Sequence, residues 1–213
     1  KELYKEIEKI IIEFNSCLDN EIIRNPIDIE QAMQSKENYY YWCRKLYNNL
    51  KDNKTIKKSA LFVFLNKTCF RGMYRTGPNG FNVPYGNYVN PEIANYEHFK
   101  EVNELIKNVI FICCDFTNSI KTVKKGDFVY MDPPYYPEKK NSFVSYNENG
   151  FENHDNLFEL CKKMESKFMM SNSDSNYVKE CFNNYKIEIV ECKRTINSKK
   201  PQSKTNEIIV TNY

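Results

Sequence analysis

Glycine is scarce in this chain. Its 213 residues include six, at positions 72, 77, 80, 86, 126 and 150, and no Gly-x-Gly occurs anywhere. A nucleotide-type α/β enzyme carries a glycine-rich turn after its first strand, and residues before Gly72 cannot supply one. Long apolar runs are also lacking. Leu61 to Leu65 and Val109 to Cys114 are the longest, far short of the roughly 20 residues a membrane helix needs. Lys1 to Asn15 is charged and helical in pattern, so no signal region is expected there. These absences exclude a membrane protein, a collagen-like chain and a coiled-coil rod. Histidine occurs twice, at 98 and 154, away from any cysteine pair, and the eight cysteines show no Cys-x-x-Cys spacing. No metal site is expected. The cysteines read as reduced, mostly buried thiols of a cytoplasmic protein.

Acidic residues are missing from two stretches. Between Asn53 and Pro91 there is none, against Lys54, Lys57, Lys58, Lys67, Arg71 and Arg75; between Cys192 and Asn206 there is again none, against five basic residues. On a chain whose formal net charge is only +3, two such blocks suit a polyanion partner or two ordinary solvated surfaces. What the chain does have is apolar material: 41% hydrophobic and 15% aromatic residues, enough for a packed core.

Apolar residues at 3, 4, 7, 10, 11 and 14 predict a helix. Tyr39 to Leu50 and Ile56 to Thr68 read as further helices, the second apolar nearly all round. Residues 15–36 are polar and irregular, Arg71 to Asn90 is loop or hairpin, and Pro91 to Asn108 is again helical in pattern. The pattern then changes. Val109 to Cys114 and Asp127 to Met131 are short apolar runs ending in Asp115 and Asp132. A helix over Asn153 to Lys163, a strand over Lys167 to Met170, a helix over Ser175 to Asn183 and strands over Tyr185 to Cys192 and Asn206 to Asn212 complete the pattern. Strands alternating with helices predict an α/β layer with a largely parallel sheet, closed at one edge by an antiparallel hairpin. In such sheets the site lies beyond the carboxyl ends of the strands, where Asp115, Asp132 and Ser171 to Ser173 fall.

The sharpest signal is Asp132-Pro133-Pro134-Tyr135 after Val129-Tyr130-Met131. Proline has no N–H, so the segment leaves the ladder and stays stiff, with its carbonyls exposed at the top of the sheet.

This segment resembles the D-P-P-Y signature of the Dam-type adenine-N6 DNA methyltransferases. A second stretch, Leu65-Asn66-Lys67-Thr68-Cys69-Phe70-Arg71-Gly72-Met73-Tyr74-Arg75 and then Gly80-Phe81-Asn82-Val83-Pro84-Tyr85-Gly86, is similar to that family's L-N-R-x-x-Y-N-G-L-x-R and G-x-F-N-V-P-F-G. The resemblance implies a catalytic set of Asp132, Pro133, Pro134 and Tyr135, in which the Asp132 carboxylate and the Pro133 carbonyl accept both hydrogens of the adenine amine and aim its lone pair at an electrophilic methyl while Tyr135 stacks on the extruded base, with S-adenosylmethionine as cofactor and double-stranded DNA as partner. It implies DNA contacts from Lys67, Phe70, Arg71, Met73, Arg75, Asn82, Pro84 and Arg194. Arg75 matches an arginine that reads guanine, which suits its two-pronged guanidinium. Phe70 matches an aromatic wedge, Met73 a base-contacting leucine and Pro84 the proline of F-N-V-P, whereas Arg71 stands where the family usually has asparagine. Cys113-Cys114-Asp115-Phe116 is similar to a strand end lining the cofactor's adenine pocket, so Asp115, Phe116 and Asp132 are the implied cofactor-binding residues; capping of the next helix by Asp115 is the other reading. Phe143, Tyr146 and Phe151 either cover the site or belong to the core. Arg194 to Ser198 and Asn206 to Tyr213 resemble the family's closing hairpin.

The fold implied is α/β, a Rossmann-like methyltransferase sheet that is incomplete because its first strands are missing, with a helical target-recognition insertion. Residues 1–14 would be a helix of the catalytic core, 15–108 the target-recognition region and 109–213 the catalytic α/β core. The family's A-G-G-K and F-x-G-x-G segments have no match, so an amino-terminal segment or a second chain is expected to supply them. The function implied is methyl transfer to adenine N6 in duplex DNA by base flipping. A non-catalytic DNA-binding module or partner subunit is the alternative, and an RNA or cytosine-N4 substrate a third possibility.

Overall fold

The computed structural model describes residues 1–137, 151, 153–193 and 204–213. It divides into two compact units, Lys1–Ile110 and Phe111–Tyr213.

The first unit is helical. Helix α1 (Glu2–Asn15) buries Ile7, Ile10 and Phe14 on its apolar face. The polar stretch after it holds only a short helix, α2 (Ile29–Ala32), capped by Asp28. Helix α3 (Lys36–Asn49) starts at a Ser35 cap and buries Asn38, Tyr39, Tyr40 and Cys43. Asn38 explains why the irregular stretch keeps one path. Its Oδ1 accepts from the Ile23 amide, and its Nδ2 donates to the Glu21 and Gln31 carbonyls. A buried amide with three partners is a satisfied one. Helix α4 (Ile56–Thr68) begins at a Thr55 cap and packs on α1 and α3. Phe64 is its centre, edge-on to Phe14 at 5.2 Å and to Tyr39 at 5.9 Å between ring centroids, within the range where aromatic pairs attract. The two-residue strands β1 (Thr76–Gly77) and β2 (Gly80–Phe81) form a small antiparallel hairpin, and α5 (Tyr96–Leu105) completes the unit.

The second unit is a sheet with helices. A one-turn helix, α6 (Phe116–Ile120), precedes strand β3 (Phe128–Met131). Helix α7 (His154–Lys162), strand β4 (Lys167–Ser173), helix α8 (Asn176–Cys181) and strands β5 (Lys186–Lys193) and β6 (Lys204–Thr211) come next. The strand order is β3-β4-β6-β5. Only β3 and β4 run parallel; β4 with β6 and β5 with β6 are antiparallel. The sheet is thus mixed rather than largely parallel, because the closing hairpin supplies two of its four strands. One face carries Met131, Phe168, Met170, Ile208 and Val210 against Leu157, Phe158 and Cys161 of α7 and Val178 of α8. On the other face Tyr130 is 60% exposed.

Val109 to Cys114, expected as a strand, is not one: Ile110, Phe111 and Ile112 are 71–83% exposed and no strand pairs with them among the described residues. A strand exists only through its ladder, and the edge of β3 away from β4 is likewise unpaired among these residues. The thiols also differ from expectation. Cys43, Cys69 and Cys161 are buried, but Cys113 and Cys114 are exposed because they sit on that unpaired run. No helix among the described residues is long and apolar enough to cross a membrane.

Candidate active site and nucleic-acid interface

Asp132 comes directly after the last residue of β3 and is exposed. Its Oδ1 accepts a 2.7 Å hydrogen bond from the Ser171 hydroxyl on β4. The parallel register pairs Met131 with Met170, so the next residue of each strand brings these two side chains together. The Pro133 carbonyl meets no donor among the described residues. The carbonyl after it is held: Pro134 O lies 2.8 Å from His154 Nε2 in the first turn of α7. The loop is fastened again at Tyr136, whose N–H donates to Asn172 Oδ1 and whose carbonyl accepts from the Ser173 hydroxyl. Tyr136 also stacks on Tyr177 at 4.5 Å. Prolines remove freedom at 133 and 134, and these contacts fix the chain at 134 and 136.

The Tyr135 hydroxyl donates to Glu207 of β6 at 3.1 Å. Burial first, and the Glu207 and Asp132 carboxylates as well, push the phenol up to about 12, with a Ser171 hydrogen bond acting the other way. Tyr135 is therefore a neutral ring at physiological pH, suited to stacking rather than to proton transfer.

Below this strand end lies a cavity of about 350 Å³, lined by Cys114, Phe116, Ser119, Ile120, Val129 to Pro134, Phe151 and Leu157. That volume is at the lower end of the roughly 300–1,000 Å³ typical of small-ligand sites. Phe116 and Phe151 lie edge to face at 5.8 Å. Asp115 does not line the cavity. Its Oδ1 caps α6 by accepting from the Thr117 amide and hydroxyl, bonds that hold its carboxyl below the usual range. Phe143 and Tyr146 lie outside the described residues, as does Arg194.

In the first unit a turn and hairpin carry the expected DNA-contacting residues. Phe70, Arg71, Arg75, Asn82 and Pro84 are exposed, as is Lys67, and Met73 is half-buried. The Phe70 amide donates to the Pro84 carbonyl. Arg75 is held by Asn82, Nε to Oδ1 at 2.7 Å and Nη2 to the carbonyl at 3.1 Å. Its guanidinium is thus oriented before any partner arrives, an arrangement that spacing alone does not reveal. Helix α3 carries the hairpin: Tyr40 and Arg44 both donate to the Val83 carbonyl, and Asn48 forms a two-way pair with the Phe81 backbone. A Cβ on Gly80, whose φ is +88°, would lie 2.6 Å from Asn48 Oδ1, so this position requires glycine. Arg71 sits in the left-handed region at φ 56°, where its guanidinium lies 5.2 Å from the Phe70 ring centroid.

A strand-end carboxylate and carbonyl on an α/β sheet, beside a small-ligand cavity, form an arrangement that can accept both hydrogens of an amino group. The sequence comparisons agree. The chain matches the D12 class N6 adenine-specific DNA methyltransferase family over residues 3–196. Type II methyltransferase M.MjaIII of Methanocaldococcus jannaschii is 36% identical over 225 residues, covering 100% of this chain and 75% of that protein. Type II methyltransferase M1.LlaDCHI of Lactococcus lactis subsp. cremoris is 35% identical, covering 96% and 79%. The DNA adenine methylase of Haemophilus influenzae is 30% identical, covering 80% and 62%. The chain belongs to the D12 class of N6 adenine-specific DNA methyltransferases, a family that methylates adenine N6 in DNA.

Proposed function

We propose that this chain carries the catalytic residues for methyl transfer to adenine N6 in duplex DNA, on a base turned out of the helix. The observation that carries this reading is the pair of acceptors at the tip of β3, Asp132 and the Pro133 carbonyl. An adenine amine is a weak nucleophile because its lone pair is conjugated into the ring. Asp132 and Pro133 accept its two N–H groups, which localises the lone pair and fixes its direction. Tyr135 stacks on the base, and an extruded base is the only form that reaches such a pocket. Asp132 then stands nearest to the proton released when the amine is alkylated.

The cavity residues fit S-adenosylmethionine in kind. Phe116 and Phe151 offer faces to a purine, with Asp132 and Ser119 as polar groups at its wall. When bound there, that cofactor supplies an electrophilic methyl group. Asp115, outside the cavity lining, caps the helix that carries Phe116. Arg75 reads a base edge with a guanidinium held by Asn82, while Phe70, Arg71, Met73 and Pro84 contact the duplex and Lys67 and Arg194 its phosphates.

The sheet reads as an incomplete Rossmann-like methyltransferase sheet. The unpaired edge of β3 and the exposed Phe111 and Ile112 support further strands supplied by more of the polypeptide or by a second chain. Residues 15–108 serve as the target-recognition region and 109–213 as the catalytic core; helix 1–14, expected to belong to that core, packs instead on α3 and α4 of the first unit. The protein would act in a DNA-containing compartment such as the cytoplasm. The test is to incubate the full-length gene product with S-adenosylmethionine and unmethylated duplex DNA, or with RNA, and to analyse the nucleosides by mass spectrometry. N6-methyladenine from duplex DNA is expected; methylation confined to RNA or to cytosine would overturn the reading.

A further inference from the structure

We propose that Ser171 is a positioning residue for this reaction: its hydroxyl fixes the Asp132 carboxylate so that one oxygen is left for the substrate amine. The inference rests on the proposed function above and extends it to a residue outside the D-P-P-Y segment.

An exposed aspartate at a strand end has two free side-chain torsions. Ser171 has much less freedom. It is 8% exposed and sits inside β4, one residue past the last pair with β3 and opposite Ile209 of β6. Its hydroxyl has one proton to give. Asp132 Oδ1 takes it at 2.7 Å, whereas the Met131 carbonyl lies at 3.5 Å, too far to compete. The hydroxyl oxygen accepts from the Tyr130 hydroxyl at 3.4 Å. One small buried side chain therefore touches both the acid of the D-P-P-Y segment and the tyrosine two residues before it. Asp132 Oδ2 meets no donor among the described residues, so the amine has an unoccupied acceptor whose direction Ser171 sets. Serine suits this role because a hydroxyl donates once, to the carboxylate, and presents its oxygen to the Tyr130 phenol.

Such a residue acts through geometry at the reacting amine, not through DNA affinity. Misplacing an acceptor by about 1 Å costs on the order of 100-fold in rate. The test compares Ser171→Ala with the unaltered full-length protein on a short duplex bearing the methylated site located by the nucleoside experiment. A second duplex carries deoxynebularine, which lacks the 6-amino group, at the target position. Ser171→Ala is expected to lower the single-turnover transfer rate by about 10- to 100-fold and to reduce the affinity preference for adenine over nebularine. Affinity for the nebularine duplex itself should not change. In an Asp132→Ala background, Ser171→Ala should have no further effect on the preference. The inference is overturned by an unchanged rate and preference, by an equal loss of affinity for both duplexes, or by a full further loss in the Asp132→Ala background. If the unaltered protein methylates no adenine, the proposed function fails instead, and that result is seen before any variant is compared.

Discussion

The two units solve different problems with the same aromatic-rich composition. In Lys1–Ile110 the rings divide: Phe14, Tyr39, Tyr40 and Phe64 are almost fully buried, while Phe62, Phe70 and Tyr74 are exposed, and polar side chains of α3 hold the hairpin from behind. In Phe111–Tyr213 one sheet face is packed, while Tyr130 and Phe128 on the other remain exposed. The first unit is a finished platform that presents a short, stiffened turn. The second is a sheet whose described strands leave an edge unpaired, with its chemistry concentrated at one strand tip. Each unit has its own buried core, and the proposed chemistry lies in a few hydrogen bonds of the second.

Perturbing each unit in turn should separate these roles. The largest expected effect on stability is from Phe64→Ala, about 3–5 kcal/mol for deleting a buried aromatic side chain. The single tryptophan, Trp42, lies in the first unit, so its fluorescence in a urea titration reports that loss directly. An unchanged midpoint would show that the aromatic cluster is not what holds the unit.

Alkali should act on the same unit. Burial raises the Tyr39 and Tyr40 phenols and the Cys43 thiol above their ordinary values of 10.0 and 9.0. The folded state thus holds these protons more tightly than the unfolded chain. Their contribution to stability is complete below pH 9 and is lost progressively as pH rises above it. Trp42 fluorescence at rising pH should show unfolding setting in above pH 9 to 10, with no corresponding step from these groups in acid.

A smaller and more local effect is expected at the hairpin. Arg75→Ala should relax discrimination at one base pair by about 1–3 kcal/mol without slowing transfer at saturating DNA, as measured on a set of singly substituted duplexes. Uniform weakening on all sequences would make Arg75 a phosphate contact. Asn82→Ala, which frees the guanidinium, should reproduce part of this loss. The smallest effect is at Arg71. Asparagine tolerates its left-handed backbone better, so Arg71→Asn should raise the thermal midpoint by a gain of about 1 kcal/mol or less, while duplex affinity falls. A lower midpoint would show that contacts of the arginine outweigh its backbone cost.

Much of this was legible in the sequence where a local signal was strong. The helix over Ile56 to Thr68 has the bounds its apolar residues predict, and the paired prolines marked the tip of β3. The D-P-P-Y and F-N-V-P stretches pointed to the family before any coordinates. Other features were not legible because they depend on partners distant in the chain. Val109 to Cys114 has a strand's composition but no ladder. The predominance of antiparallel pairing comes from β6 inserting between β4 and β5, which no local pattern encodes. No sequence signal ties His154 to the site, yet it meets the Pro134 carbonyl. Asn82 and Ser171 are ordinary polar residues whose significance lies in what they hold.

The most direct test of the acceptor pair is the single-turnover rate of methyl transfer into duplex DNA by Asp132→Ala, measured beside its retention of the same duplex. With both acceptors required, the rate should fall by about a thousandfold or more while the same duplex carrying deoxynebularine is held as tightly as before. Transfer at an undiminished rate would contradict the assignment of the adenine amine to Asp132 and Pro133.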